Sequence, residues 1–201
     1  KQLAVFSEVY YPFGWKAFID NKEVPIVKVN YVLRALAIPP GKHEIRFELK
    51  PASIATANRV IAGINANPNV ISAAEATALK AECLFVRAIS HFYLVNFFAQ
   101  PYGFTTDASH PGVPVILQSF SSNDPAANQP RATVAAVYTS IISDLTTALA
   151  DLPATHSTTY ATKSRATKAA AAALLARVHL YKGDYANAKT VSQNIINGNY
   201  G

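Results

Sequence analysis

The sequence predicts an α+β chain in which a small antiparallel β-meander over residues 1–52 precedes a mainly α-helical part over residues 53–201. Three observations carry this. Residues 3–50 hold short apolar, β-branched runs separated by Asp20-Asn21 and Pro39-Pro40-Gly41, which are strands divided by turns. Beyond Pro51 the alternation ends and apolar residues recur at helical spacing. Near the C-terminal end, residues 167–197 form two such helical stretches joined by Lys182-Gly183-Asp184.

Taken in order, LAVFSEVYY reads as a strand and Tyr11-Pro12-Phe13-Gly14 as a turn. WKAFID enters a tight hairpin at Asp20-Asn21-Lys22, and EVPIVKVN leaves it as one strand. YVLRALAI stops at Pro39-Pro40-Gly41. In HEIRFELK, Ile45, Phe47 and Leu49 alternate with Glu44, Arg46 and Glu48, which predicts one buried and one wet face. The meander therefore has four or five strands. Trp15, with Tyr10, Tyr11 and Phe13, is its expected core. A unit of about fifty residues buries only about 60% of its unfolded surface, so it is expected to pack on something else or to belong to a larger β-domain.

The helical part opens with Ile54, Ala57, Val60, Ile61 and Ile64 on one helix face, ended by Asn67-Pro68-Asn69. Ser72 and Glu75 have the spacing of a capping box for a long helix running to Phe98. Residues 84–98 are apolar nearly all round and predict a central position among other helices. Arg87 and His91 are the polar exceptions, expected to be satisfied by a carboxylate or backbone carbonyl. Gln100–Pro130 is irregular and holds Pro101, Pro111, Pro114, Pro125 and Pro130, with VPVIL a short extended candidate. Thr133 caps a helix whose stripe is Val134, Val137, Ile141, Leu145, Ala148 and Leu152. The Ser/Thr-rich stretch ATHSTTYATKSRA is read as a connection. It leads to an alanine run that lets another helix approach closely, followed by Leu174, Leu175, Val178 and Leu180. Gly183 suits a left-handed cap and Asp184 an N-cap, before Tyr185, Ala188, Val191 and Ile195. A small-residue helix, a Gly-Asp-Tyr turn and a following alanine make a tetratricopeptide-type hairpin, an element that presents surfaces and seldom holds catalytic groups.

Composition narrows the function. The net charge is +6 over 201 residues, with +3 in residues 1–50 and +3 in the remainder, and it forms no basic block. Nucleic-acid binding needs clustered Lys/Arg with a recognisable motif, so it is excluded as a reading. No apolar run reaches the roughly 18 residues of a membrane span. The chain starts Lys-Gln-Leu-Ala-Val-Phe, without a signal peptide, and reads as a processed or excised piece. Cys83 is the single cysteine, eight residues from His91 on one helix and too far for activation by it. Glu75 and Glu82 lie seven apart on one helix face, a separation of roughly 10 Å that suits an inverting carboxylate pair, yet exposed glutamates on amphipathic helices are common. No metal cluster, P-loop, nucleophile elbow or dinucleotide fingerprint is present, and no cofactor is expected. Sugar sites set aromatic faces beside hydrogen-bonding groups. The long loop offers that combination in Tyr102, Phe104, Asp107 and Phe120, with His110, Asn123 and Asp124 nearby, and these are the candidate ligand-binding residues.

Two resemblances add to this reading. FSEVYYPFGWKAFIDNKEV and NYVLRALAIPPGKHEIRFELKP resemble the extracytoplasmic C-terminal segment of the YfhO family of multi-spanning bacterial membrane proteins. That resemblance implies a β-sandwich piece outside the cytoplasm. It carries over no glycosyl-transfer chemistry, because the spanning helices are absent. Residues 55–201 resemble the N-terminal half of SusD-like (RagB-type) proteins. The matching stretches are Ala57–Ile61, KAECLFVRAISHFYLVNFFAQPYG, GVPVIL, PRATVAAVYTSIISDLTTALADLP and RATKAAAAALLARVHLYKGDYANA. The family resemblance implies a non-enzymatic outer-membrane lipoprotein at the cell surface that captures oligosaccharides, or sometimes peptides, and caps a TonB-dependent SusC-like transporter. Family members run to several hundred residues and begin at a lipidated cysteine absent here. The chain is thus expected to be a chimera of two fragments, with apolar surface left uncovered and a tendency to self-associate.

Overall fold

The computed structural model describes residues 2–9, 15–31, 33–49, 52–120 and 129–200. The chain divides into two compact units, Lys1–Ala52 and Ser53–Gly201.

The first unit holds β1 (Gln2–Val9), β2 (Trp15–Ile19), β3 (Lys22–Val24), β4 (Val27–Val29), β5 (Leu33–Ile38) and β6 (Ile45–Leu49). They form two three-stranded antiparallel sheets, β1-β5-β4 and β3-β2-β6, rather than the single meander expected. The difference arises at Pro25-Ile26, which splits the expected strand EVPIVKVN into β3 and β4 and sends them to different sheets. Proline has no N–H to give to a ladder, so the strand ends there. The hairpin at Asp20-Asn21 is as expected: Ile19 pairs Lys22, and both loop residues have positive φ, 49° and 64°, as in a type I′ turn.

The sheets meet through aromatic side chains. Phe6 of β1 sets its ring edge-to-face on Phe47 of β6 with centroids 4.9 Å apart. Arg34 of β5 is buried, its Cζ 4.1 Å from the Trp15 ring centroid and 4.4 Å from that of Phe47. Trp15 is half-buried and sets its ring edge-to-face on Phe47, while Tyr10, Tyr11 and Phe13 fall outside the described residues.

Asp20 also closes the Pro40–Glu44 turn. Its carboxylate lies 2.6 Å from His43 Nδ1 and accepts the Glu44 N–H at 3.0 Å. The hydrogen bond to His43 holds the Asp20 carboxyl below its usual range, and the same bond raises His43. The ion pair thus exists between those two values. It is lost as pH falls through the lowered Asp20 value and as pH rises through the raised His43 value. Asp20→Asn is expected to bring the His43 imidazole back down towards its ordinary value of 6.5 in an NMR titration. An unmoved His43 would show that the pair contributes nothing.

The second unit contains α1 (Ala52–Ala66), α2 (Ala73–Phe98), a 3₁₀ turn (Tyr102–Phe104), α3 (Val134–Asp151), α4 (Thr159–Ser164), α5 (Lys168–Lys182) and α6 (Tyr185–Ile196). The capping box is formed: Ser72 Oγ accepts the Glu75 N–H and Glu75 accepts the Ser72 N–H. Thr133 caps α3, and Gly183 ends α5 with φ 79°, followed by Asp184 capping α6. α2 packs on α3, α3 on α5 and α5 on α6. The whole expected stripe of α3 is buried, from Val134 to Leu152. Ala81, Ala148, Leu152 and Ala171 form one cluster, with Leu84 and Phe85 packed against it. Three alanines at that meeting point of α2, α3 and α5 allow the close approach that the alanine run predicts.

Three expectations change. The Ser/Thr connection contains α4, a helix capped by the Thr158 side chain and too short to carry an apolar period. Leu180 and Tyr185 of the hairpin point outward, so its buried stripe is narrower than expected. The C-terminal half of α2 is not enclosed all round: Val86, Tyr93 and Phe97 are exposed, because α3 and α5 cover only part of its circumference.

Candidate functional site

The irregular stretch after α2 is where candidate ligand groups gather, and its backbone is held from beneath by a buried polar cluster. Arg87 of α2 makes two parallel bonds to Asp144 of α3, Nε to Oδ2 at 2.8 Å and Nη2 to Oδ1 at 2.7 Å. Its Nη1 donates to Asn58 Oδ1 of α1 at 2.9 Å and to the Leu117 carbonyl at 3.3 Å. The Asn58 amide donates in turn to the Ile116 and Gln118 carbonyls, both at 3.0 Å. His91 donates from Nδ1 to the Arg87 carbonyl at 3.1 Å and accepts the Ile116 N–H at Nε2, 3.3 Å away. Burial is the main cause that lowers its pKa to about 4, so the imidazole is neutral at pH 7.

These bonds explain why VPVIL is not a strand. Its backbone groups are taken by side chains of α1 and α2, and the ladder is reduced to one bridge, Pro111 to Thr133. The loop stem is fixed separately. Arg131 donates from Nε to the Gly112 carbonyl at 2.6 Å and from Nη2 to Pro111 and Phe98 carbonyls. A Cβ on Gly112 would sit 3.0 Å from the Ala132 carbonyl oxygen and from Val137 Cγ2, so any larger residue would require these neighbours to give by a few tenths of an ångström.

On this support the four candidate residues take different positions. Tyr102 is half-buried, its ring edge-to-face on Tyr138 at 5.0 Å with Lys182 Nζ 5.9 Å above it. Phe104 is 62% exposed and rests edge-on against His110, centroids 5.3 Å apart. His110 is buried and donates from Nε2 to the Gln100 carbonyl, while Nδ1 accepts from Thr105 Oγ1 at 2.8 Å. Asp107 is exposed and accepts the Ser109 N–H at 3.1 Å, and hydrogen bonding to Ser109 keeps its carboxyl below the ordinary range. Phe120 is half-buried, and Asn123 and Asp124 lie outside the described residues. Phe104 and Asp107 are therefore the two candidates that present most surface to solvent.

Further aromatic residues are exposed, among them Tyr93 and Phe97 from the stretch expected to be enclosed by other helices. Tyr93 and Phe97 stack with a 19° interplanar angle, and Tyr181 of α5 sets its ring against Phe92 at 5.3 Å. A tyrosine within an apolar helix is the signal that could have marked this face, since its hydroxyl favours a wet boundary. The sequence also passed over Asn58 and Asp144, which are the partners Arg87 needs. Their positions on otherwise apolar stripes were the available sign.

The other polar groups have structural roles. Glu75 is spent on the Ser72 cap, and Glu82 forms a two-bond ion pair with Arg165. The two glutamates therefore do not act as a pair. The Cys83 thiol is buried and pushed up by that burial, the opposite of an activated nucleophile. Among the described residues no group of His, Cys, Asp and Glu is placed to hold a metal, and no helix is long and apolar enough to cross a membrane.

Comparison with known proteins agrees with the helical unit. Residues 41–180 match the family model described as SusD-like, starch-binding and associating with the outer membrane. Among solved structures, a SusD superfamily protein from Bacteroides thetaiotaomicron is 31% identical, with a TM-score of 0.62, over 71% of this chain and 29% of that one. A laminarin-binding SusD-like protein is 28% identical, with a TM-score of 0.57, over 71% of this chain and 27% of that one. A SusD-like carbohydrate-binding protein from Bacteroides fragilis is 25% identical, with a TM-score of 0.57, over 72% of this chain and 25% of that one. The chain thus spans under a third of the length of each of these structures. No curated protein matches it.

Proposed function

The chain belongs to the SusD-like family, and from that premise we propose that it is a non-enzymatic glycan-binding component of an outer-membrane uptake complex. Its place is the cell surface, and its protein partner is a TonB-dependent, SusC-like transporter. Its ligand is a glucan oligosaccharide, with a peptide as the alternative ligand. The observation that carries the reading is the loop after α2. It holds an exposed ring, Phe104, and an exposed carboxylate, Asp107, on a segment tied by the buried His110 to Thr105 and the Gln100 carbonyl. A ring that binds a sugar face must be exposed before binding and must not have to be ordered by it, and a loop pinned from beneath meets both needs. The exposed α5–α6 hairpin residues Leu180, Tyr181 and Tyr185 favour a second contact, with the transporter.

The resemblance of residues 1–52 to a YfhO-type segment rests on the residues alone, and the family match begins at residue 41. No glycosyl-transfer role is assigned to that unit.

Calorimetric titration with starch- and laminarin-derived oligosaccharides tests the reading. Phe104→Ala is expected to weaken binding by about two- to tenfold, in line with the roughly 0.5–1.5 kcal/mol of an aromatic contact. The melting temperature should stay unchanged, because the ring lies on the surface. Binding indifferent to this substitution would remove the loop from the glycan site. A chain that bound the transporter but no sugar would favour a helical scaffold instead.

A further inference from the structure

We infer that Asn58, Arg87 and His91 form a latch that positions the segment from Val113 to Gln118, and that protonation of His91 opens this latch in acid. The glycan-facing role of the loop rests on the function proposed above, whereas the latch itself does not.

The geometry is specific about which atom matters. Asn58 and Arg87 hold carbonyls of Ile116, Leu117 and Gln118, and those bonds do not change with protonation of His91. His91 does something different: its Nε2 is an acceptor for the Ile116 N–H, while Nδ1 donates to the Arg87 carbonyl of its own helix. An imidazolium carries a proton on both nitrogens and accepts nothing. Protonated His91 would therefore set two N–H donors against each other, in a position that is 1% exposed. Water cannot enter there unless the segment lifts, so the proton and the closed loop exclude each other.

The charges facing His91 are Arg87, one turn away on α2, and Asp144 from α3. Asp144 favours the imidazolium and Arg87 opposes it, and the two are bound to each other. α1 contributes the uncharged Asn58, and the loop contributes backbone amide and carbonyls. The balance is left to burial, which holds the closed form at about 4 against 6.5 for a free imidazole. With the opened segment exposing a free imidazole, opening becomes tenfold easier for each pH unit between those values. The total is a rise of roughly 100-fold from pH 7 to pH 4, where the closed form is itself half protonated.

Amide hydrogen exchange of the full chain between pH 7 and pH 4, corrected for intrinsic rates, reads this directly. The Ile116 amide, with those of Val115, Leu117 and Gln118, is expected to lose protection by roughly two orders of magnitude relative to those of α2 and α3. His91→Gln, which cannot gain a proton, is expected to remove the pH dependence of that difference. Loop amides that follow the helices across the range, or a dependence that survives His91→Gln, would overturn the latch. Should His91→Gln fail to fold, the nitrogen NMR shifts of wild-type His91 decide: an Nδ1–H tautomer that titrates with the loop signals supports it, and an Nε2–H tautomer overturns it. Repeating the titration with a laminarin oligosaccharide separates the two readings. A latch that opens while sugar affinity stays flat with pH leaves the latch standing and detaches the Val113–Gln118 segment from the glycan site.

Discussion

Asp144→Ala is expected to destabilise the helical unit by about 3–5 kcal/mol, the range for removing one partner of a buried ion pair. The size follows from what remains. Arg87 keeps its charge in a setting where only 10% of the side chain is exposed, and its two bonds to the carboxylate are lost. Asn58 and the Leu117 carbonyl still receive Nη1, but neither carries a compensating charge. The denaturant midpoint followed by helical circular dichroism measures the loss. A change below about 1 kcal/mol would mean that solvent screens the pair as it does on a surface. Asp144→Asn should fall between, since it keeps an acceptor and removes the charge.

Ile141→Ala is expected to cost about 2–5 kcal/mol, through lost apolar contact and the cavity left behind. Ile141 is fully buried at the middle of the α3 stripe, with Val137 and Leu145 on the turns to either side. α3 packs on both α2 and α5, so a void there weakens two interfaces and not one. Thr147→Ala on the exposed side of the same helix is the control, expected within about 0.5 kcal/mol. Equal effects from the two substitutions would mean that α3 is not the central element of this unit.

The parts of the fold legible in the sequence are those whose cause is local. The Asp20-Asn21 hairpin needs two residues tolerant of positive φ between strands, and both are adjacent in the chain. Ser72 with Glu75, Thr133, and Gly183 with Asp184 act within one helical turn, so the spacing alone places the helix ends. The stripe of α3 was readable because one helix face repeats in the sequence. The same reasoning misplaced the strand containing Pro25, since it weighed apolar character above the missing N–H.

The candidate loop was legible only in outline. Its aromatic and polar residues were visible, but which of them face solvent depends on bonds made across the fold. Asn58 reaches Ile116 and Gln118, and Arg87 reaches Leu117 and Asp144, all distant in sequence. No periodicity or spacing encodes such pairs, because each partner looks ordinary in its own segment. The sequence by itself therefore determined the class of the fold, the ends of the helices that carry side-chain caps in the chain pattern, and the family. The tertiary structure alone decided that Tyr93 and Phe97 are exposed, that Tyr102 turns in while Phe104 turns out, and that the proline-rich loop is held from beneath. Exposure and long-range hydrogen bonding are properties of neighbours, and neighbours exist only once the chain has packed.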